Sequence, residues 1–510
     1  VPRRFRGLKQ PDDSYDAVVI GAGVGGLVCA NLLARSGLKV LLIEQHFMVG
    51  GYCSTFRRHK FTFDAATHFY PLLGNPSTIT GSLLTELGVT TEWVKMDPVD
   101  CFHFPDGSCF SVPANLDDYL NKLKLEFPDE NENIDAFFTL ARKAYLIGLA
   151  KYFRNVETSR IAPYQNLSIR DVLQQHFRNE KLKLLLTGDI GHWGSPPSRT
   201  SFVFDSMLRL AYFLGNYYPK GGSQAFVDEL AQRFEEAGGH ILMSSMVRRI
   251  MIENHAACGV EVELGSLRHK VTKRVTAGVV VSNADLLQMV EQMIDPEFMD
   301  PNWLTRVKRL RPSLPCFLLH IGVNGIPLEH LKQAEGYHWN SWDAEDVATH
   351  AFKVFLPTSF DPSLAPPGGQ VVIVQKVTAV DFDCVDWAEH KAQVENYLLQ
   401  SLERRIPGFC DHIVTRFSAS AYTSYRYTLN HHGAMLGWEM SPDQLGELRP
   451  GVEGPVKNLY LVGHWVRPGG GVTPVMISAL QAARRIIGGS RPHIVAAPEV
   501  AAAAHGDILA

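Results

Sequence analysis

The chain has 510 residues, with 49 Lys and Arg against 53 Asp and Glu and a formal charge of −4. That length makes about two to four domains and allows a large buried core; 45% apolar and 20% charged residues exclude a wholly disordered, collagen-like or coiled-coil chain. The near-neutral balance argues against a dedicated nucleic-acid binder, which carries a basic excess or stripe.

The start, VPRRFRGLKQPDDSYD, has no apolar core behind its basic residues, so no secretory signal is expected there; a trimmed transit-peptide remnant stays open. Asp16–Ile20 (DAVVI) is a short apolar, β-branched run and predicts a buried parallel strand. A helical pattern follows from Gly25 to Ser36, then a second buried strand from Lys39 to Ile43, which together make a βαβ unit. Residues 96–215 read as mainly helical. A helix over Ser223–Ala237 leads into strands in HILMSSMVRRIMIE, GVEVEL and RVTAGVVVSNA. Further strands are expected in CFLLHIGV, QVVIVQKV, HIVTRFSAS and NLYLVG, and a last helix from Thr473 to Gly488. The alternation predicts one α/β domain assembled from 15–95, 216–300 and 441–490. Residues 96–215 and 301–440 form an inserted α+β substrate domain, and 1–14 and 491–510 are expected to be flexible tails.

Gly21-Ala-Gly23-Val-Gly-Gly26 follows the first strand and opens the helix. Gly21 permits the tight turn, Gly23 lets the backbone approach a pyrophosphate, and Gly26 lets helix and strand pack closely. The helix N-terminus supplies free N–H groups and partial positive charge. Glu44, at the end of the second strand, is placed to accept from ribose hydroxyls. A dinucleotide site of Rossmann type is therefore expected. A second glycine pair, Gly50-Gly51, brings another backbone loop toward the same ligand, and the turn from Gly463 to Pro474 reads either as a third loop or as an ordinary helix start.

VVIGAGVGGLVCANLLARSGLKVLLIEQ, VGGYCSTF, KFTFDAATHFY, YYPKGGSQAFVDELAQRFEEAGGHI, VSNAD, and NLYLVG with PGGGV occur in that order from about 15 to 490. This set resembles the FAD-dependent phytoene desaturases, carotenoid cis–trans isomerases and retinol saturases. The resemblance implies FAD, with Val247 on the strand that meets the adenine and Gly471-Val472 beside the flavin ring. It implies an oxidoreductase acting on a long apolar polyene or isoprenoid by desaturation, saturation or isomerisation. An amine or porphyrinogen oxidase-like enzyme, or a silent FAD-containing lipid binder, are the alternatives. Tyr52 stands where amine-using relatives carry Arg, and His464 where relatives often have an acid or a small residue. His464 is expected near the flavin, titrating around 6.5 and tuning the redox step. His68, in FDAATHFY, is the candidate catalytic group, with simple packing as the other reading.

One dinucleotide fingerprint leaves no second nicotinamide site, so the partner substrate is expected to be an electron carrier, oxygen or nothing net. No His spacing fits a metal site and no G-x-S-x-G elbow occurs. Eight dispersed cysteines without a C-x-x-C pair read as free thiols in a reducing compartment, cytoplasmic or organellar. The acid-free stretch AFFTLARKAYLIGLAKYFRNV, with Arg142, Lys143, Lys151 and Arg154, reads either as a peripheral membrane surface or as a core helix with snorkelling basic ends. MLRLAYFLGNYYP, from Met207 to Pro219, is expected to line the substrate cavity or the core. Oligomeric state is not legible.

Overall fold

Two seven-stranded sheets organise the molecule. The computed structural model describes residues 8–188, 193–266 and 269–488; of the tails expected at 1–14 and 491–510, residues 1–7 and 491–510 lie outside them, whereas the Leu8 amide donates to the Ile241 carbonyl at 2.9 Å and Ser14 begins the first strand.

The first sheet is parallel at its centre. Leu459–Leu461, the second half of His269–Ser282, Ser14–Ile20, Val40–Ile43 and His240–Leu242 lie side by side, all parallel. Met246–Glu253 and Ala256–Ser266 extend it as an antiparallel meander running into the first half of His269–Ser282. Strand side chains alternate between faces, and the apolar run of Ser14–Ile20 is buried on both. Ala17 and Val19 meet the helices Val24–Arg35, Ser223–Glu236 and Val472–Ile487, while Val18 and Ile20 meet a layer containing Val247, Ile250, Leu286 and Trp465. This is the α/β, Rossmann-type architecture expected from the βαβ pattern.

The second sheet has the order Ile413–Ala419, Cys316–Asn324, Gly369–Val377, Ala351–Phe355, Gly336–Trp339, Asp100–His103, Cys109–Val112. One face packs on the helix Trp387–Arg405 through Phe317, Leu319, Ile321, Leu398 and Leu402. The opposite face, with Cys316, Leu318 and His320, looks inward to a cavity.

Residues 96–215 are not helical throughout. The hairpin at 100–112 joins the edge of the second sheet. Its signal was local: in Pro105-Asp106-Gly107-Ser108 the Asp106 carboxylate accepts from the Ser108 amide at 2.9 Å, and Gly107 takes φ +83°. The aromatic-basic stretch forms the helix Asn131–Gly148 and a π-turn Leu149–Phe153. Phe137, Phe138, Tyr145 and Tyr152 are buried in the core, so those rings do not face a bilayer. Lys143 and Arg154 are exposed, and Lys151 pairs with Glu157 at 2.7 Å. Among the described residues no helix is long and apolar enough to cross a membrane.

Candidate active site

A cavity of about 940 Å³ runs between the two sheets. Gly21, Gly23, Glu44, Gly50, Gly51, Val247, Gly463, His464, Gly471, Val472 and His68 all line it. Gly26 stands one layer behind, where a Cβ would collide with the Gly21 carbonyl oxygen. That close approach is what brings the helix N-terminus down onto the strand end.

Three backbone loops make one end of the cavity. The Gly50 amide donates to the Ala22 carbonyl at 2.8 Å, locking the second glycine loop onto the first. Asn283 is the post between the first and third: a Cβ on Gly25 would lie 2.7 Å from its Oδ1 and 3.2 Å from the Gly463 amide nitrogen. Nothing in a periodic reading marks Asn283, although it sits in VSNAD.

Two helices point their N-termini at this end. Val24–Arg35 starts behind Gly23 and Val472–Ile487 behind Gly471; neither has a side-chain cap or an acidic residue in its first turn. Their first amides are therefore available to an anion or to carbonyl groups of a ligand. By contrast, the helix Leu116–Glu126 is capped by Asn115 and Ile169–His176 by a Ser168–Asp171 capping box.

Glu44 is preset by the backbone. Its Oε2 accepts from the Ala22 amide at 2.7 Å and its Oε1 from the His46 amide at 2.8 Å. Burial pushes its carboxyl upward, against those two amides. A carboxylate has about four acceptor positions, which leaves capacity for a ligand's hydroxyls. The Ser245 amide donates to the Glu44 carbonyl at 3.0 Å, which carries the chain across to Val247 on the cavity wall.

His464 differs from expectation. Trp465 Nε1, a donor only, meets Asn430 Oδ1 at 3.0 Å, so that atom is the carbonyl oxygen. His464 Nε2, 3.0 Å from the same oxygen, is then its donor. Burial first, and the Arg449 guanidinium second, push the ring down to about 3. It is neutral through the physiological range, and the expected titration near 6.5 is withdrawn. Close by, Tyr52 donates to the Ala434 carbonyl at 3.0 Å. Asp285, accepting from the Gln288 and His431 amides at 2.8 and 2.7 Å, is pushed up to about 6 by burial.

The other end is apolar. Tyr145, Leu149, Phe153, Phe204, Met207, Leu208, Ala211 and Tyr212 come from the helical layer, and Cys316, Leu318 and Met435 from the second sheet and its flank. His68 Nδ1 is 2.9 Å from the Ala66 carbonyl oxygen and so carries the proton. Its ring stacks on Phe355 at 4.6 Å. Asp64 anchors that segment, accepting from Tyr218 Oη at 2.6 Å and from the Ser223 amide at 2.8 Å. The motif FDAATHFY thus caps the helix Ser223–Glu236 as well as lining the cavity.

A cradle of backbone amides, a preset carboxylate and two uncapped helix N-termini fit a long dinucleotide. The family model for flavin-containing amine oxidoreductases matches residues 24–487. The chain belongs to that family. It is an FAD-dependent oxidoreductase. It is 26% identical over 512 residues to the all-trans-retinol 13,14-reductase of Danio rerio, covering 90% of this chain and 84% of that protein. Over 525 residues it is 25% identical to the chloroplastic prolycopene isomerase 1 of an Oncidium hybrid cultivar, covering 94% and 85%. The solved structure of a putrescine oxidase variant shares the fold, with a TM-score of 0.65 at 16% identity over 94% of this chain and 99% of that one.

Proposed function

We propose that this flavoenzyme acts on a long apolar polyene or isoprenoid, of carotenoid or retinoid type, by desaturation, saturation or cis–trans isomerisation. One observation carries the reading: the dinucleotide cradle opens directly into a chamber walled by aliphatic and aromatic side chains. Among the described residues, the charged side chains along the cavity are Glu44, Asp285, Arg57 and Arg58. The two acids belong to the cradle, and the arginines are exposed at the end of the strand Thr55–Arg58, which pairs with Phe61–Asp64. A substrate ammonium in the apolar chamber would meet no carboxylate among the described residues that wall it, which favours a polyene over an amine. The relatives named for retinol and prolycopene support the same substrate class.

In this reading the amides behind Gly21 and Gly23 take the pyrophosphate, Glu44 the adenosine ribose and Val247 the adenine. Gly50, Gly51, Gly463, His464, Gly471 and Val472 hold the flavin half. When bound, FAD supplies hydride exchange with an allylic or conjugated carbon. The chain's part is to align that carbon, exclude water and keep the neutral His464 ring as a fixed dipole. His68, held against Phe355, is the candidate for orienting the substrate or holding a proton beside it.

Such a substrate is drawn from lipid. Leu146, Val156 and Leu448 are 37%, 50% and 48% exposed. They surround the π-turn whose Leu149 and Phe153 line the chamber, with Lys143 and Arg154 exposed nearby. This rim supports docking on an anionic membrane surface, at about 1 kcal/mol per basic side chain.

The test is anaerobic and aerobic incubation of the purified holoprotein with retinol, carotenes and a set of amines, reading flavin colour and product geometry. A polyene should bleach or reoxidise the flavin or change isomer, and the amines should not. Turnover of amines alone would overturn the reading. Flavin unresponsive to every compound would leave the silent lipid-binding alternative.

A further inference from the structure

The hairpin Asp100–His103 and Cys109–Val112 carries chemistry that the cavity does not use. Its strands pair antiparallel, with Cys101 opposite Ser111 and His103 opposite Cys109. Residues two apart on a strand share a face, so these four side chains form one patch in which the two cysteines are diagonal neighbours. Cys109 is exposed, Cys101 is half-buried, and both are free thiols.

The imidazole of His103 is held in place. Its Nε2 donates to the Glu335 carbonyl at 2.9 Å, and its ring stacks on His338 at 4.2 Å and 8°. Nδ1 is therefore the nitrogen left for Cys109. Lys122, donating to the Ser111 carbonyl at 2.6 Å, adds positive charge to the same patch. The charged groups around it are completed by Asp100 beside Cys101 and Arg405 behind the two histidines. Hydrogen bonding from Cys101, then from His103, holds the Cys109 thiol below the usual thiol range, while the same contact and burial push Cys101 up. Cys109 is the more exposed of the two and stands directly opposite His103, so it is the sulfur placed to react as a thiolate. The other exposed cysteines have the opposite surroundings. A hydrogen bond with Asp381 raises Cys384, and burial with the neighbouring Glu403 raises Cys410.

We infer that Cys109 and Cys101 form a hydroperoxide-reactive dithiol, Cys109 attacking and Cys101 resolving. In the first step the Cys109 thiolate attacks the distal oxygen of hydrogen peroxide; an S–O bond forms, the O–O bond breaks and hydroxide leaves, taking a proton to become water. In the second step the Cys101 sulfur attacks the Cys109 sulfur; the S–S bond forms, the S–O bond breaks, and a second water leaves with the thiol's proton. Two thiols lose two electrons and one peroxide gains them. No residue of the cavity takes part.

The chain has no Lys or Arg between Cys101 and Cys109, so trypsin leaves both on one peptide. The holoprotein is treated with hydrogen peroxide, alkylated, digested and weighed. That peptide should lose 2 Da and take no alkyl group, while the Cys384 and Cys410 peptides stay reduced. Without peroxide, at pH 5, iodoacetamide should modify Cys109 at least about tenfold faster than Cys384, even after allowing for the weaker nucleophilicity of a low-pKa thiolate. His103→Phe should slow that reaction, and Cys101→Ser should replace the 2 Da loss by oxygen addition at Cys109. Alkylation of Cys109 at the Cys384 rate, or peroxide treatment that yields no crosslinked peptide, would overturn the inference.

Discussion

The two ends of the cavity are made of different material. The cradle is built mainly from backbone: glycine loops at 21–26, 50–51 and 463–471, two helix N-termini, and a carboxylate whose oxygens are already tied to amides. The chamber is built from side chains supplied by a helical layer and a sheet far apart in sequence. A site made of backbone tolerates little change of residue, because its ligand touches atoms common to all residues and needs the absence of a Cβ. A site made of apolar side chains asks only for volume and hydrophobicity, so substitution there should alter specificity before it alters cofactor binding.

The sharpest break in that contrast is Gly26→Val. Its side chain would enter the space held by the Gly21 carbonyl, and overpacking at such a contact costs about 1–3 kcal/mol or more. The purified variant should contain no flavin, and its thermal midpoint should fall. A yellow protein of unchanged stability would show that the turn can relax.

Glu44→Gln leaves the shape but replaces one acceptor oxygen by a donor facing an amide. The loss of a charge-assisted contact, about 1.5–3 kcal/mol, should weaken FAD binding about ten- to a hundredfold in fluorescence titration. Equal affinity would remove Glu44 from the cradle.

In the chamber the expectation reverses. Leu318→Gln buries an amide among apolar atoms, at about 1–3 kcal/mol. It should lower the thermal midpoint and raise KM for a polyene, with flavin content unchanged. Loss of flavin would mean that the two ends are not separable.

At His464 the expected effect is one of pH, not of cofactor content. Its folded-state pKa is lowered to about 3, against about 6.5 unfolded. Between those values the unfolded chain binds the extra proton. The stability is therefore present above about pH 6.5 and is lost as pH falls toward 3, by up to about 1.4 kcal/mol per pH unit. His464→Gln should flatten the fall in the denaturation midpoint between pH 6.5 and 4.5 only in part, leaving the share due to other buried histidines such as His320, pushed down to about 4, and His338, pushed well down, both by burial first. Redox titrations of wild type and variant should show no histidine break near 6.5. A break present only in the wild type would restore a charged ring at the flavin.

The difference between the two ends also governs what could be read in advance. DAVVI, the glycine spacing and Glu44 act over fewer than 30 consecutive residues, where strand burial, turn geometry and helix start are properties of local chain. Those elements appear in the structure within a residue or two of expectation, as Ser14–Ile20, Val24–Arg35 and Val40–Ile43. The sequence by itself thus determined the α/β class and the dinucleotide fingerprint, while the order of the strands within each sheet came from the tertiary structure. Tertiary structure alone decided which way the aromatic face of Asn131–Gly148 turns, because a helix with rings and cations on its surface suits either a core or a lipid surface until its neighbours are known. It alone decided that Asn283 braces the glycine loops, that Asp64 caps a helix more than 150 residues away, and that His464 is neutral. Burial, hydrogen-bond partners and pKa depend on contacts between distant segments, and those contacts exist only once the chain has closed.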